Sequence, residues 1–352
     1  MNSDSWMIYG AYGYSGELIA REAKSRGLRP TLAGRDAAKT KALAEALELP
    51  FEVFDLGNPG AIREKLEGHR LVLHCAGPFS ATADPMMRAC LQSGCSYLDI
   101  TGEIDIFCLG HSYHESAIER DILICPGVGF DVIPTDCLAL SLKDAMPDAT
   151  HLALGFDSRS GFSKGTAKTS VEGLGKGGRI REQGVLTKVP LAYKTRRIDF
   201  GAGEKLAMTI PWGDVATAFF TTGIGNVEVY IPASPRLVKR LRRMRLVQPV
   251  LNWKWVQNLL KSQVDKKIKG PGQKARETMP THVWGEVRNA NGDTKTGRMQ
   301  TANGYEVTKL GSVAIVEYLL SNQISAGYTT PARLMGGAFV STLHGSHPLL
   351  IE

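Results

Sequence analysis

Short apolar runs alternate with longer amphipathic stretches over the first 130 residues. Met7-Ile8-Tyr9 runs straight into Gly10 and predicts a strand. Tyr14 to Gly27 then predicts a helix, with Leu18, Ile19 and Ala23 as its inner stripe and Gly27 closing it. Pro30 to Ala33 reads as a second strand, and the Ala/Lys/Glu-rich stretch from Asp36 to Glu48 as a helix capped by Asp36. The rhythm continues with strand 51–55, helix 61–66, strand 70–75, helix 85–93, strand 96–100, helix 104–120 and strand 122–125. Parallel neighbours need a crossover, usually a helix, so six apolar strands separated by helices predict a doubly wound α/β sheet covered on both faces.

Beyond residue 130 the pattern changes. A helix is expected over 131–146, followed by strands at 151–156, 206–210, 215–222, 227–231, 282–288 and 296–301. Alternation such as Val-Glu-Val-Tyr-Ile at 227–231 suits a sheet with one wetter face, and so a second domain of different rhythm. The division expected is 1–130 for the first domain, 131–328 for the second and 329–352 as a C-terminal segment.

Composition narrows the class. The chain has 352 residues, 43% hydrophobic and 22% charged, which suits a two-domain globular protein and argues against disorder. No apolar run is long enough to span a bilayer, and Met1 to Tyr9 has no signal-peptide pattern. Cys75, Cys90, Cys95, Cys108, Cys125 and Cys137 form no Cys-x-x-Cys pair, so reduced thiols and a cytoplasmic, soluble protein are expected. The net charge of +7 is local: residues 236–276 hold thirteen Lys/Arg and one acid, Asp265, leaving −5 for the rest. A general nucleic-acid surface is therefore not expected.

The first turn carries candidate chemistry. Gly10-Ala11-Tyr12-Gly13-Tyr14-Ser15-Gly16 spaces its glycines three and three, between a strand and a helix. Gly10 allows a tight exit, Gly13 lets main-chain amides approach a pyrophosphate, and Gly16 lets the helix pack closely; Tyr14 and Ser15 stand at the positive end of the helix. At the end of the second strand, where an NAD site wants an acid, the chain has Gly34-Arg35 with Asp36 and Lys39 following. A guanidinium suits a 2′-phosphate, so NADP is expected over NAD, with Asp36 reaching a ribose hydroxyl as the other reading. Asp55, ending the third strand, either meets adenine or caps the next helix. Cys75-Ala76-Gly77-Pro78-Phe79, after the fourth, either lines the cofactor or is an ordinary turn.

GAYGYSG at 10–16, LAGR at 32–35, CAGPF at 75–79, YLDITGE at 97–103 and PGVGFDVIPTD at 126–136 together resemble the saccharopine dehydrogenase-like oxidoreductases. PWGDVATAFFTTGIGNVEVY at 211–230 and GYTTPARLMGGAFV at 327–340 fit the same family, particularly the branch with the trans-acting enoyl reductases; Gly225 stands where relatives commonly have proline. The resemblance implies an N-terminal Rossmann domain, a second α+β domain of saccharopine-reductase type that closes over the nicotinamide, and NAD(P)-linked redox chemistry. It also implies that the segment from about Thr329 returns to the Rossmann domain, with a helix and an apolar strand between Pro331 and Leu343.

Catalytic candidates are fewer. Asp99, Glu103 and Asp131 stand just beyond expected strand ends, where ligands bind in doubly wound sheets, yet carboxylates there also cap helices. Lys164 lies in a Gly/Ser/Thr-rich turn that could hold an anion or be an ordinary loop. His111-x-x-His114 lacks a third ligand nearby, so no metal is expected and both rings are read as solvent-facing. The function expected is hydride transfer between NADP(H) and a small or lipid-like substrate bearing C=N, C=O or conjugated C=C. Saccharopine itself is disfavoured, since no arginine cluster outside 236–276 is placed to take its carboxylates. The competing class is a catalytically inactive dinucleotide-binding sensor or scaffold. Residues 236–276, with Trp253 and Trp255, either touch an anionic membrane peripherally or pack on the protein with solvated lysines. A homodimer through the second sheet is consistent with the sequence but not required by it.

Overall fold

The computed structural model describes residues 5–158, 173, 175, 177–245, 253, 256, 262–263 and 278–352. Lys164, Trp255 and most of 246–276 lie outside the described residues. Two compact units are formed: residues 1–133 with 305–334, and residues 134–304 with 335–352.

The first unit is the doubly wound sheet. Its strands are β1 (Trp6–Tyr9), β2 (Thr31–Gly34), β3 (Phe51–Val53), β4 (Leu71–His74), β5 (Ser96–Asp99), β6 (Leu123–Cys125) and β15 (Gly327–Tyr328). They lie in the order β15-β6-β5-β4-β1-β2-β3, all parallel, so the winding reverses between β1 and β4. Every residue of β1 and β4 is buried, as expected for central strands covered on both faces. The crossovers are α1 (Tyr14–Ser25), α2 (Ala37–Leu47), α3 (Pro59–Leu66), α4 (Phe79–Ser93), and the pair α5 (Ile104–Ser112) and α6 (His114–Glu119).

Three local readings change here. Helix α4 begins at Phe79 and not at Pro85, because Glu103, distant in sequence, accepts from the Phe79 amide and caps it. The helix expected over 104–120 breaks at Tyr113 into α5 and α6. His114 is not simply solvent-facing: its Nδ1 accepts from the Tyr328 amide at 3.0 Å and holds the edge strand β15.

Helix α10 (Gly304–Ser321) lies outside the expected elements and leads to β15 within the first unit. Arg26 on α1 bonds Glu317 at 2.7 Å, and Arg70 donates to the carbonyls of Leu320 and Asn322 at 2.9 and 2.6 Å. The stretch that joins the first unit is thus 305–334, whereas 335–352 belongs to the second. Between Pro331 and Leu343 there are two short helices, α11 (Pro331–Met335) and α12 (Phe339–Thr342), and no strand.

In the second unit, α7 (Ile133–Ala145) precedes a mixed sheet in the order β10-β11-β12-β7-β13-β14-β16, with β8 on β12 and β9 on β8. These strands are β7 (His151–Ser158), β8 (Gly178–Glu182), β9 (Val185–Val189), β10 (Thr195–Asp199), β11 (Glu204–Thr209), β12 (Asn226–Pro232), β13 (Thr281–Arg288), β14 (Thr294–Thr301) and β16 (Leu350–Ile351). Among the described strands of this second sheet, only the β7–β12 pair is parallel. Residues 215–222, expected as a strand, form α8 (Asp214–Thr222). Five consecutive buried residues, 214–218, erase the helical periodicity, and the β-branched composition then misleads. Gly223, at φ 72°, ends that helix. Among the described residues no helix is long and apolar enough to cross a membrane, and no disulfide joins any of the six cysteines.

Candidate functional site

The winding reversal between β1 and β4 opens a crevice at the carboxyl ends of the strands, the general ligand position of this architecture. Gly10 leaves β1 at φ 81°, and a Cβ there would lie 2.8 Å from both N and Cβ of Ala76. The loops after β1 and β4 are therefore in direct contact across the crevice. Gly16 has a tighter constraint: its Cβ would stand 2.3 Å from the Gly10 carbonyl oxygen, so α1 can start this close to the turn only with glycine there. Gly13 has its amide on the Gly10 carbonyl at 3.0 Å and precedes α1 without a side chain to cap it. The first turn of α1 thus points its amides and its positive end at whatever sits above the glycines. Ala11 is buried in this turn. The Tyr14 ring packs edge-on against Tyr305 at 5.0 Å, and Tyr14 and Ser15 open α1 directly after Gly13.

At the end of β2, Tyr12 occupies the space that a side chain at position 34 would fill: a Cβ on Gly34 would be 2.5 Å from Tyr12 Cε1. The Lys39 ammonium sits 5.7 Å from the centre of the same ring. Lys39 is also paired with Asp36 at 2.9 Å, and Asp36 caps α2 by accepting from the Lys39 amide at 3.1 Å. This pairing holds the Asp36 carboxyl below and the Lys39 ammonium above their usual ranges. Arg35 is exposed, and no hydrogen bond or ion pair engages it among the described residues. Tyr12 was not singled out from the sequence. The signal was present, as an aromatic in the glycine loop opposite the glycine that ends β2.

Asp55 is exposed and binds the Gly57 amide at 2.6 Å; the cap of α3 is Asn58, which accepts from Ala61. Tyr9 fixes this edge by donating to the Phe54 carbonyl at 3.0 Å, and burial pushes its phenol up to about 12. Beyond β4, the Cys75 amide binds the Tyr9 carbonyl at 2.7 Å. Burial, helped by Asp99, pushes the Cys75 thiol well above its ordinary range, so it behaves as a small packed group and not as a nucleophile. Ala76, Gly77 and Pro78 form the loop facing Gly10, and Phe79 begins α4.

The three carboxylate candidates meet around the loop 101–103 after β5. Asp99 is fully buried and accepts from Thr101 N at 2.9 Å, Gly127 N at 2.8 Å and Tyr97 Oη at 2.7 Å. Desolvation raises its carboxyl to about 6 against these hydrogen bonds, which favour the anion. Its work is to tie the loops after β5 and β6. Glu103 caps α4 through Phe79. Asp131 brings its carboxyl so close to Gly102 that a Cβ there would lie 2.6 Å from Oδ2, and desolvation raises it to about 7. Burial thus raises both Asp99 and Asp131 toward neutral pH, the range in which a carboxyl can hold or release a proton. Lys164 lies outside the described residues.

The chain is similar to several known proteins. Residues 6–120 match the family described as Saccharopine dehydrogenase NADP binding domain. The chain is 29% identical over 202 residues to a saccharopine dehydrogenase-like oxidoreductase of Rattus norvegicus, covering 50% of this chain and 47% of that protein. It is 28% identical over 258 residues to a trans-acting enoyl reductase of Mycobacterium bovis, covering 66% and 60%. The match thus spans about half the length of the rat protein. The fold is that of saccharopine dehydrogenase (L-Glu forming) from Saccharomyces cerevisiae, with TM-score 0.67 over 99% of both chains at 9% identity.

Proposed function

We propose that this saccharopine dehydrogenase-like chain is an NAD(P)-dependent oxidoreductase that prefers NADP(H). The carrying observation is the Gly10–Gly16 turn packed on Ala76 at the winding reversal, a cradle in which side chains at 10 or 16 would collide with main chain. Backbone amides at the start of α1 would hold the pyrophosphate, and Arg35 with Lys39 would meet a 2′-phosphate beside the Tyr12 ring. Asp36 is engaged with Lys39 and the start of α2, which favours the phosphate reading over a ribose hydroxyl. The loop Ala76–Pro78 would line the nicotinamide side. The bound cofactor supplies the hydride, and the protein's part is to align the acceptor, exclude water and place a proton. We assign that proton to Asp131, whose carboxyl burial raises toward neutral pH.

The substrate proposed is a small or lipid-like molecule with C=N, C=O or conjugated C=C, and not saccharopine. A second reading, a dinucleotide-binding sensor or scaffold without turnover, draws support from the engagement of Asp99 and Glu103 in loop bonds. Calorimetric titration with NADPH and NADH, followed by an NADPH-consumption screen over imines, ketones and enoyl thioesters, tests both. Tight NADPH binding with turnover is expected. Binding without any turnover favours the sensor, and no binding of either coenzyme sinks both.

A further inference from the structure

In the second unit, α9 (Pro235–Met244) sorts its cations onto two faces. Ser234 caps it by accepting from the Leu237 amide. Val238 and Leu241 pack on a cluster that includes Ala192 and Met208. On the same side, Arg245 donates to the carbonyls of Leu191 and Ala192 at 2.6–3.0 Å, and Arg242 to Ala192 at 3.4 Å. These two guanidinium groups anchor the helix. Arg236, Lys239, Arg240 and Arg243, at i, i+3, i+4 and i+7, fall on the opposite face, exposed, where with Met244 they line a shallow groove. No hydrogen bond or ion pair engages these four among the described residues. Leu237, 39% exposed, stands with Met244 along one flank of the stripe. The helix contains no acid, so like charges one turn apart repel without internal relief.

We propose that this outward face lies flat on an anionic phospholipid surface, the four cations meeting headgroups while Leu237 and Met244 enter the interface beside them. Charge complementarity sets the sign of the partner. The flanking aliphatics favour a bilayer over nucleic acid, because single strands are met with aromatic stacking groups and bilayers with buried apolar area. The inference is independent of the redox reading.

The test is flotation of the full chain with phosphatidylcholine vesicles, with and without about 30% phosphatidylserine, at low and high salt. Binding is expected only to the anionic vesicles and is expected to fall with salt. Neutralising Arg236, Lys239, Arg240 and Arg243 to Gln should weaken it by roughly fivefold per charge. The pair Arg236→Gln/Arg240→Gln serves where the quadruple change alters the melting temperature. A charge-matched control, Arg21→Gln/Lys41→Gln/Arg63→Gln/Arg88→Gln, should keep most of the binding. The proposal is overturned if wild type does not float with anionic vesicles, if the α9 variants float like wild type, or if the control loses as much. Preferential binding of duplex DNA at equal phosphate concentration would also overturn it.

Discussion

The Nε2 atom of His74 lies 3.0 Å from the Oγ1 of Thr82, and that hydroxyl in turn donates to the Ala76 carbonyl at 2.7 Å. Because the Thr82 proton is committed to a carbonyl, His74 must donate, which places the imidazole proton on Nε2 and leaves Nδ1 bare. His74 is fully buried among the rings of Tyr9, Phe79 and Tyr97. The pair shapes the loop that faces Gly10. Thr82→Val should cost about 1–2 kcal/mol of stability and weaken NADPH binding, while Thr82→Ser should keep both. Chemical denaturation alongside coenzyme titration measures the two effects, and unchanged binding in the valine variant would remove the loop from the site.

Burial holds the His74 imidazole down to about 3. Its folded value lies below its unfolded value near 6.5, so the unfolded state binds the extra proton between pH 6.5 and 3. The neutral ring's contribution is therefore present above pH 6.5 and is lost as pH falls, by about 1.4 kcal/mol per pH unit at most. His74→Gln should flatten the acid limb of a stability-versus-pH curve. A curve as steep as wild type would reject this origin.

Asp131 has the opposite sign. Its carboxyl is raised to about 7, above the ordinary value of 3.8, so the folded state binds the extra proton between those limits and the group's cost to stability fades as pH falls. Asp131→Asn should stabilise the protein by about 1–3 kcal/mol at pH 8 and by little at pH 4. If Asp131 also handles the proton, the same variant loses turnover while NADPH binding persists, and a fully active variant would exclude that role.

Arg35→Ala should weaken NADPH binding by about 10- to 100-fold and leave NADH binding unchanged. Lys39→Ala should do less, because Lys39 is already shared with Asp36. Equal losses for both coenzymes would mean that Arg35 does not read the 2′-phosphate.

Gly16→Ala places a methyl 2.3 Å from a main-chain oxygen and should destabilise the fold by about 1–3 kcal/mol. Gly13→Ala has 3.1 Å to the same oxygen, so its melting temperature should change less while coenzyme affinity still falls. Thermal melts and titrations of the two variants separate packing from approach to the ligand; identical behaviour would contradict the distinction.

The doubly wound sheet, the glycine turn and the strand-end positions of Arg35, Asp55 and Cys75 were legible in the sequence, because buried parallel strands and tight turns leave contiguous local patterns. Residues 215–222 read as a strand in sequence because burial on nearly every side of a short helix removes the period that distinguishes helix from strand. The roles of Asp99 and Glu103 as loop ties, the platform of Tyr12 over Gly34 and the docking of 305–334 on the first unit depend on partners far away along the chain. A residue's type and spacing state what bonds it can make, while the tertiary arrangement determines which of them it does make.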